Sequence, residues 1–286
     1  MKKREDRIVN SLCSMVCVIA LGILLVSCGN KGNSNRESFM SKDSSKSDLN
    51  PKTENSRKQA VSDGLSFKLS LDGSGYVLDS RGTCTDNEIV VPESYLDLPV
   101  IKIESEAFKN DIDLISFTCS SVISIGNNAF SGCVNLVDAI FGDQLTVIGQ
   151  EAFSFCSKLN EIHFSKNLIK VGQAAFFDSG FVKEMSNYRD GCLYVDDWLV
   201  MGNTQCTDLR IDCRGIADGV FANNDFIENV DISKNVVFYG EDMFSFNPSL
   251  RSVVMKKSVN PCIFIQKYFE EDITFINEYL TKYVRI

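Results

Sequence analysis

The chain has 286 residues, of which 44% are hydrophobic, so it is long enough to bury a sizeable core. Its formal net charge is −9, and because the first 64 residues carry 11 Lys or Arg against 7 Asp or Glu, the rest of the chain carries −13. An acidic body argues against binding nucleic acid or docking on an anionic membrane face. Cationic proteins, neutral glycans and divalent ions are left as partners.

Residues 1–27 have the pattern of an export signal peptide, with Lys2, Lys3 and Arg4 preceding an apolar run at 12–26. The run is shorter than the roughly 20 residues of a membrane span. It ends in Leu-Val-Ser-Cys28, which resembles the lipobox of bacterial lipoproteins. That resemblance implies that Cys28 receives a diacylglyceryl group and becomes the mature N-terminus. The alternative is an uncleaved or ordinarily cleaved signal in which Cys28 is incidental.

Residues 28–64 are rich in Ser, Asn and Lys and contain very few large apolar side chains. Such a segment buries too little surface to offset the entropy of ordering it. It is therefore expected to be a disordered, lipid-anchored tether. The protein is expected in the bacterial cell envelope, facing outward and touching the membrane through its lipid anchor alone.

A phenylalanine recurs along the chain in steps of 22, 23, 23, 45 and 23 residues. The first four carry the same neighbourhood: IESEAF, IGNNAF, IGQEAF and VGQAAF. A fixed period of this length indicates a supersecondary unit that stacks on copies of itself. The marker residues are Phe108, Phe130, Phe153, Phe176, Phe221 and Phe244.

Beyond each marker, apolar residues alternate with polar ones, as in the pairs Phe117 with Cys119 and Ile162 with Phe164. A period of two predicts one strand per repeat, and strands that recur once per coil in the same direction pair in parallel. Residues 100–258 are therefore predicted to form a parallel β-solenoid. Residues 65–99 alternate as strands and are expected to form an N-terminal β cap. Residues 259–286 have apolar side chains at helical spacing and are expected to form a helical C-terminal cap.

The 45-residue step contains two short apolar segments around an Asp-Asp turn, at 192–201. This pattern predicts a hairpin inserted near 188–207. Trp198, the only tryptophan, is interpreted as the apolar anchor of the hairpin rather than as a ligand-stacking group.

Cysteine usage leaves the redox state open. Cys133 and Cys156 both stand three residues after a marker Phe, where other repeats have small polar residues, and are expected to be buried free thiols. The sequence does not decide whether the other cysteines form disulfides. These are Cys84, Cys119, Cys192, Cys206, Cys213 and Cys262.

The segment from Val100 to Phe108, the following Leu114 and the insert Cys192 to Leu199 resemble the BspA-like leucine-rich-repeat family. The resemblance covers about residues 65–286. It implies an α/β leucine-rich-repeat solenoid with a parallel β-sheet, one strand per 22–23-residue repeat, capped at both ends. It also implies a surface protein, because characterised members of the family are adhesins that bind host or matrix proteins or other bacteria.

No catalytic, cofactor or metal motif stands out, and the chain is not expected to be an enzyme. The only histidine, His163, falls between inward Ile162 and Phe164 and is expected on the exposed sheet face. Metal-ligand spacings and a glycine-rich phosphate loop are absent from the sequence.

Outward strand positions are where a ligand would bind. The candidate face comprises Asp138, Glu161, His163, Glu184 and Asp231, with Asp138, Glu161 and Glu184 expected in one acidic column. This column is either a solvated face that tolerates like charges or a recognition strip for a basic segment.

Three hypotheses about function remain. The first is a lipoprotein that binds a protein or glycan on another cell or matrix, without catalysis. The second is a structural or self-associating envelope spacer. The third is a carbohydrate-binding module, which a row of exposed aromatic side chains on the sheet face would favour; the sequence register places none there.

Overall fold

The computed structural model describes residues 60–202, 204–255 and 274–277. The predicted signal peptide, Cys28 and the tether as far as residue 59 lie outside the described residues. The end of the predicted tether is part of the folded region, because Ser62 is buried and its backbone N–H donates to the Val90 carbonyl at 2.9 Å. The folded region thus begins before Leu65.

Five strands form the N-terminal part, as the alternation in residues 65–99 predicts. Strands β1 and β2 pair antiparallel, and so do β4 and β5, whereas β2 lies parallel to β5. Strand β3 is the first member of a parallel sheet that continues into the repeats. The strands are β1 (Ser66–Leu69), β2 (Tyr76–Ser80), β3 (Glu88–Val90), β4 (Ser94–Tyr95) and β5 (Leu98–Ile103).

The next coils add strands alternately to two ladders. One ladder continues from β3 in the order β3-β6-β8-β10 and is here called the N-terminal face sheet. The other continues from β5 in the order β5-β7-β9-β11, with strands of two residues after β5. Every pairing in these two series is parallel. The strands are β6 (Ser116–Cys119), β7 (Ser124–Ile125), β8 (Asp138–Phe141), β9 (Val147–Ile148), β10 (Glu161–Ile162) and β11 (Lys170–Val171).

The predicted parallel solenoid is therefore confirmed, and each of these coils contributes a second short strand that the sequence analysis did not include. The second strands end in a buried aliphatic residue, such as Ile103, Ile125 and Ile148. Helical structure within the described residues is limited to two 3-10 helices, Gly180–Lys183 and Met185–Asn187. No helix in the described part of the chain is both long and apolar enough to cross a membrane.

The marker phenylalanines form the centre of the core. Phe108 and Phe130 stack with ring centroids 5.4 Å apart, and Phe130 and Phe153 stack at 5.1 Å. Phe153 then stacks on Phe176 at 5.5 Å. All four rings are buried, and each stacked pair contributes on the order of 1 kcal/mol to stability in addition to the free energy of burying its surface. The coil spacing thus repeats one aromatic contact along the solenoid.

The inserted hairpin is present as predicted. Strands β13 and β14 pair antiparallel, with Val195 opposite Trp198 and a turn at Asp196 (φ +48°). Trp198 is buried and stacks on Phe238 at 5.9 Å, which confirms that it anchors the hairpin. The strands of this region are β12 (Tyr188–Arg189), β13 (Cys192–Val195), β14 (Trp198–Met201), β15 (Asp208–Ile211) and β16 (Gly215–Ile216).

A second parallel sheet, the C-terminal face sheet, has the order β15-β17-β18-β19. Its remaining strands are β17 (Asn229–Ile232), β18 (Ser252–Met255) and β19 (Thr274–Asn277). The helix predicted for the C-terminal segment is wrong at residues 274–277, which pair in parallel with β18. The edge of β18 offers unpaired backbone groups that a strand can satisfy and a helix cannot. The other residues of the predicted helical cap, 259–273 and 278–286, lie outside the described residues.

The column three residues after each marker Phe is buried at four of its six positions, Cys133, Cys156, Ser179 and Asn224, whereas Asp111 and Asn247 are partly exposed. The Cys133 Sγ–H donates to the Phe108 carbonyl at 3.0 Å, and the Cys156 Sγ–H to the Phe130 carbonyl at 3.1 Å. Each thiol thus links its coil to a carbonyl of the preceding coil. All seven cysteines in the described ranges, of which these are two, are free thiols; Cys262 falls outside those ranges.

Candidate functional site

Side chains of the N-terminal face sheet alternate between the core and solvent. Phe117, Ala139 and Ile162 point inward and are buried. The outward neighbours line up through the strand register, since Glu88 pairs with Ser116, Ser116 with Asp138, and Asp138 with Glu161. The acidic column is therefore Glu88, Asp138 and Glu161, with Ser116 interrupting it.

The electrostatics of the column centre on Asp138, which is half-buried. Its pKa is raised above the ordinary aspartate value, first by burial and then by repulsion from Glu161 and Glu88. Keeping this carboxyl ionised therefore costs free energy in the isolated protein. A cation bound to the column would remove part of that cost.

Glu184 does not belong to the column, contrary to the sequence prediction. It lies between the two 3-10 helices, and its backbone N–H donates to the Phe181 carbonyl at 3.3 Å. Residues 180–183 and 185–187 form 3-10 helices here instead of a strand, and β10 is the last strand of its sheet in the described part of the chain. Gly180 packs closely on the preceding coil, where a Cβ would lie 2.3 Å from the Leu159 carbonyl oxygen.

Glu88 is the third acidic residue of the column instead of Glu184, and it lies at the opposite end from the one expected for Glu184. Sequence reasoning missed it because residues 65–99 were assigned to a cap rather than to the ladder. The usable signal was the alternation of Glu88 with buried Ile89, which matches that of Ser116 with Phe117.

His163 is exposed, as predicted, and lies between two carboxylates. Its Nε2 is 4.0 Å from the Glu161 Oε1, and its Nδ1 is 3.9 Å from the Asp196 Oδ1. Asp196 comes from the hairpin turn, and its other oxygen accepts the Phe164 backbone N–H at 2.7 Å. The hairpin thus reaches back to the end of the acidic column, which sequence reasoning did not anticipate.

A shallow cleft of about 250 Å³ opens where the hairpin meets β10. Its polar lining comes from Glu161, His163 and Asp196 together with two asparagines, and its apolar lining from Ile162, Phe181 and Val195. The cleft continues the acidic column and gives it an apolar end. This combination fits a peptide segment that carries a basic and an apolar side chain.

Asp231 lies on the other sheet. In the C-terminal face sheet it stands opposite Arg210 and Val254, so a cation and an apolar side chain flank it. The neighbouring row is internally hydrogen-bonded: the Asn229 Nδ2–H donates to the Asp208 Oδ1 at 2.8 Å, and the Ser252 hydroxyl donates to the Asn229 Oδ1 at 2.6 Å. Asp231 is therefore not brought together with Asp138 and Glu161.

Exposed aromatic side chains of the described repeats occur at the turns rather than on the two face sheets. Phe155 and Phe246 are 44% and 59% exposed, and Phe155 contacts Phe177 edge to face at 5.4 Å. Among the described residues no group of three or more His, Cys, Asp or Glu side chains is arranged to hold a metal ion. Cys28, the predicted lipidation site, lies outside the described residues.

Comparison with solved structures finds several leucine-rich-repeat proteins. A leucine-rich-repeat protein of T. pallidum (TpLRR) is 21% identical, with 67% of this chain and 83% of that chain covered and a TM-score of 0.40. One from Bacteroides capillosus is 27% identical over 41% of this chain and 88% of that chain, with a TM-score of 0.38. A leucine-rich cell surface protein of Faecalibacterium prausnitzii is 18% identical over 68% of this chain and 75% of that chain, with a TM-score of 0.33.

No curated protein matches the chain. The family described as BspA type leucine rich repeat region matches residues 84–190 and 200–272, in six copies. The matched residues make up more than half of the chain. They include the N-terminal face sheet and strands β15, β17 and β18, whereas most of the hairpin lies between the two matched ranges. The chain belongs to the BspA-type leucine-rich-repeat family.

Proposed function

We propose that this protein is a lipid-anchored, outward-facing component of a bacterial cell envelope that binds a cationic segment of another protein. The proposed site is the acidic column together with the cleft beside His163. Membership in a family of repeat proteins supports an interaction role without catalysis. The observation that carries the proposal is the position of Asp138 between two like charges.

Like charges on adjacent strands destabilise a sheet, by roughly 0.2–1 kcal/mol for each close pair. Ser116 separates Glu88 from Asp138, but Asp138 and Glu161 are direct neighbours of the same sign, and part of the Asp138 carboxyl is withdrawn from water. The arrangement is suited to a cationic partner, whose charge offsets the repulsion on binding.

A charge-reversal experiment tests the site. The paired substitution Asp138→Lys with Glu161→Lys is expected to weaken binding of a lysine-rich peptide to the full chain by about tenfold or more, since two attractions become repulsions. The matched control is Glu184→Lys with Asp225→Lys, which makes the same change in charge at two exposed acids outside the column. Titration calorimetry at two salt concentrations measures both variants.

Equal weakening in the two paired variants would show that only net charge matters and would refute the column as the site. A glutamate-rich peptide of the same length should bind neither form. Circular dichroism checks that both variants are folded.

The spacer alternative predicts a different result in the absence of any peptide. A self-associating envelope component would form dimers or larger species in light scattering at micromolar concentration, whereas a recognition protein should remain monomeric until its partner is added. Self-association that survives the Asp138 and Glu161 reversals would favour the spacer.

Carbohydrate binding remains as a second candidate because of Phe155 and Phe177 at the turns. Sugars stack on exposed aromatic faces, and these two rings lie outside the sheet face on which the column runs. Glycan binding that is lost on Phe155→Ala but kept in the charge-reversed variants would establish this reading.

A further inference from the structure

Two thiols converge on one backbone carbonyl at the base of the hairpin. The Cys192 Sγ and the Cys206 Sγ each lie 3.8 Å from the Asp190 carbonyl oxygen. Because both distances end on the same atom, the two sulfurs cannot be farther apart than those distances added together. The pair spans 14 positions of the sequence and encloses strands β13 and β14.

The backbone around the two cysteines is already held together. The Thr204 hydroxyl donates to the same Asp190 carbonyl at 2.7 Å, and the Cys206 N–H donates to the Thr204 Oγ1 at 3.1 Å. Gly191 lies against Thr204, and a Cβ on this glycine would meet the Thr204 Cα at 3.2 Å. These contacts hold the two backbone segments that carry the cysteines close together.

The two thiols differ in access to solvent. Cys192 is fully buried, and burial raises the pKa of its thiol well above the ordinary value. Cys206 is partly exposed and is the thiol that a reagent in solution reaches first. Cys133 and Cys156, which lie in successive coils, are both buried, so a small oxidant in solution does not reach their thiols in the folded protein.

We propose that Cys192 and Cys206 form a disulfide that closes the base of the hairpin. The Cys206 thiolate attacks one sulfur of a small disulfide such as oxidised glutathione, whose S–S bond breaks as one glutathione thiolate leaves. Cys192 then loses its proton to solvent and attacks the Cys206 sulfur of the mixed disulfide, releasing the second glutathione. The two cysteines lose two electrons and two protons in total, and the glutathione disulfide takes up the electrons.

The bond would tie the hairpin to the segment that leads into β15, where the two halves of the core meet. An exported protein encounters oxidising conditions, so the occurrence of this reaction in the cell depends on the proposed envelope location. The chemical test below does not depend on that location or on the proposed binding function.

Peptide mapping of the full chain gives a direct test. Trypsin cleaves after Arg189, Arg210 and Arg214, so one peptide, 190–210, contains both Cys192 and Cys206, and the next, 211–214, contains Cys213. The folded, reduced protein is equilibrated with oxidised glutathione, quenched in acid, unfolded, blocked with N-ethylmaleimide and digested. We expect peptide 190–210 to lose two hydrogens and to carry no maleimide, while Cys133 and Cys156 stay reduced and each carry a maleimide.

A peptide 190–210 that still carries two maleimides, or one cross-linked to 211–214, would overturn the proposal. Thermal unfolding gives an independent readout, since closing a loop of this length should raise the Tm by roughly 6–12 °C. The variant Cys206→Ser, at a partly exposed position, should fold and show no oxidant-dependent rise in Tm. A rise of the same size in Cys206→Ser would equally refute the assignment.

Discussion

Every marker phenylalanine has a residue with a left-handed backbone two positions before it and another two positions after it. Residues with a Cβ pay roughly 1–2 kcal/mol for this conformation, which Gly, Asn and Asp tolerate best. The earlier position is occupied by Glu106, Asn128, Glu151, Ala174, Gly219 and Asp242. The later one is occupied by Asn110, Gly132, Phe155, Asp178, Asn223 and Phe246.

Ala174 and its neighbour Ala175 allow a matched test of this backbone rule. Ala174 has φ +54°, so Ala174→Gly should raise the free energy of unfolding by about 0.5–1 kcal/mol, as relief of strain exceeds the added chain entropy. Ala175 is buried and is not left-handed, so Ala175→Gly should lower that free energy by about 1 kcal/mol or more. Urea denaturation followed by circular dichroism measures both, and destabilisation by Ala174→Gly would contradict the rule.

At the scale of the element, the glycine four positions before most marker residues serves packing between coils. Gly126 and Gly172 have no left-handed φ, but a Cβ on either would lie 2.4 Å from a backbone nitrogen of the preceding coil. The contact between coils that requires glycine exists only once the coils are stacked.

The hairpin is the element that joins the two halves of the core. Leu193, Val195 and Trp198 belong to the N-terminal core cluster, whereas Tyr194 and Leu199 belong to the C-terminal one. Both faces of the hairpin are therefore buried, which explains why its sequence is apolar almost without interruption.

Trp198 gives the prediction for this element. Trp198→Ala should lower the free energy of unfolding by about 3–5 kcal/mol, because it leaves a large cavity against Phe238. Trp198→Phe should cost clearly less, since it keeps an aromatic ring and the buried indole N–H has no hydrogen-bond partner among the described residues. Urea unfolding followed by circular dichroism compares the two, and an equal loss in both variants would argue against ring stacking as the anchor.

At the scale of the whole molecule, positive and negative net charge lie in different parts of the chain. The N-terminal 64 residues are net positive, and the remainder, which contains both face sheets, carries −13. We propose that lipid on Cys28 holds the chain at a membrane, with the acidic column on the part that faces away from it. Lipid with two or more acyl chains is needed for stable attachment.

The anchor can be tested through the lipid itself. When the full chain is produced in a bacterium supplied with an alkyne-bearing fatty acid, the wild-type protein should incorporate the label and Cys28→Ser should lose it entirely. Cys17→Ser is the matched control in the same leader and should keep the label. Labelling that persists in Cys28→Ser would refute lipidation at that residue, whether or not the leader is cleaved.

The sequence by itself determined the features that repeat with the coil: the 22–23-residue period, the inward phenylalanines, the strand alternation and the buried Cys133 and Cys156. It also determined the hairpin, because two apolar runs around Asp-Asp are a local signal. Such features follow from neighbours along the chain, and a single period carries them from one coil to the next.

Only the tertiary structure decided which outward residues share a surface. Membership in a column depends on whether successive strands pair, and in the described part of the chain that pairing ends at β10, where 3-10 helices follow instead of a strand. Glu184 therefore leaves the column, Glu88 joins it from outside the marked repeats, and Asp196 reaches it from the hairpin 32 residues along the chain from Phe164. Contacts between residues so far apart are set by how the coils stack, and a pattern read along the chain does not contain that information.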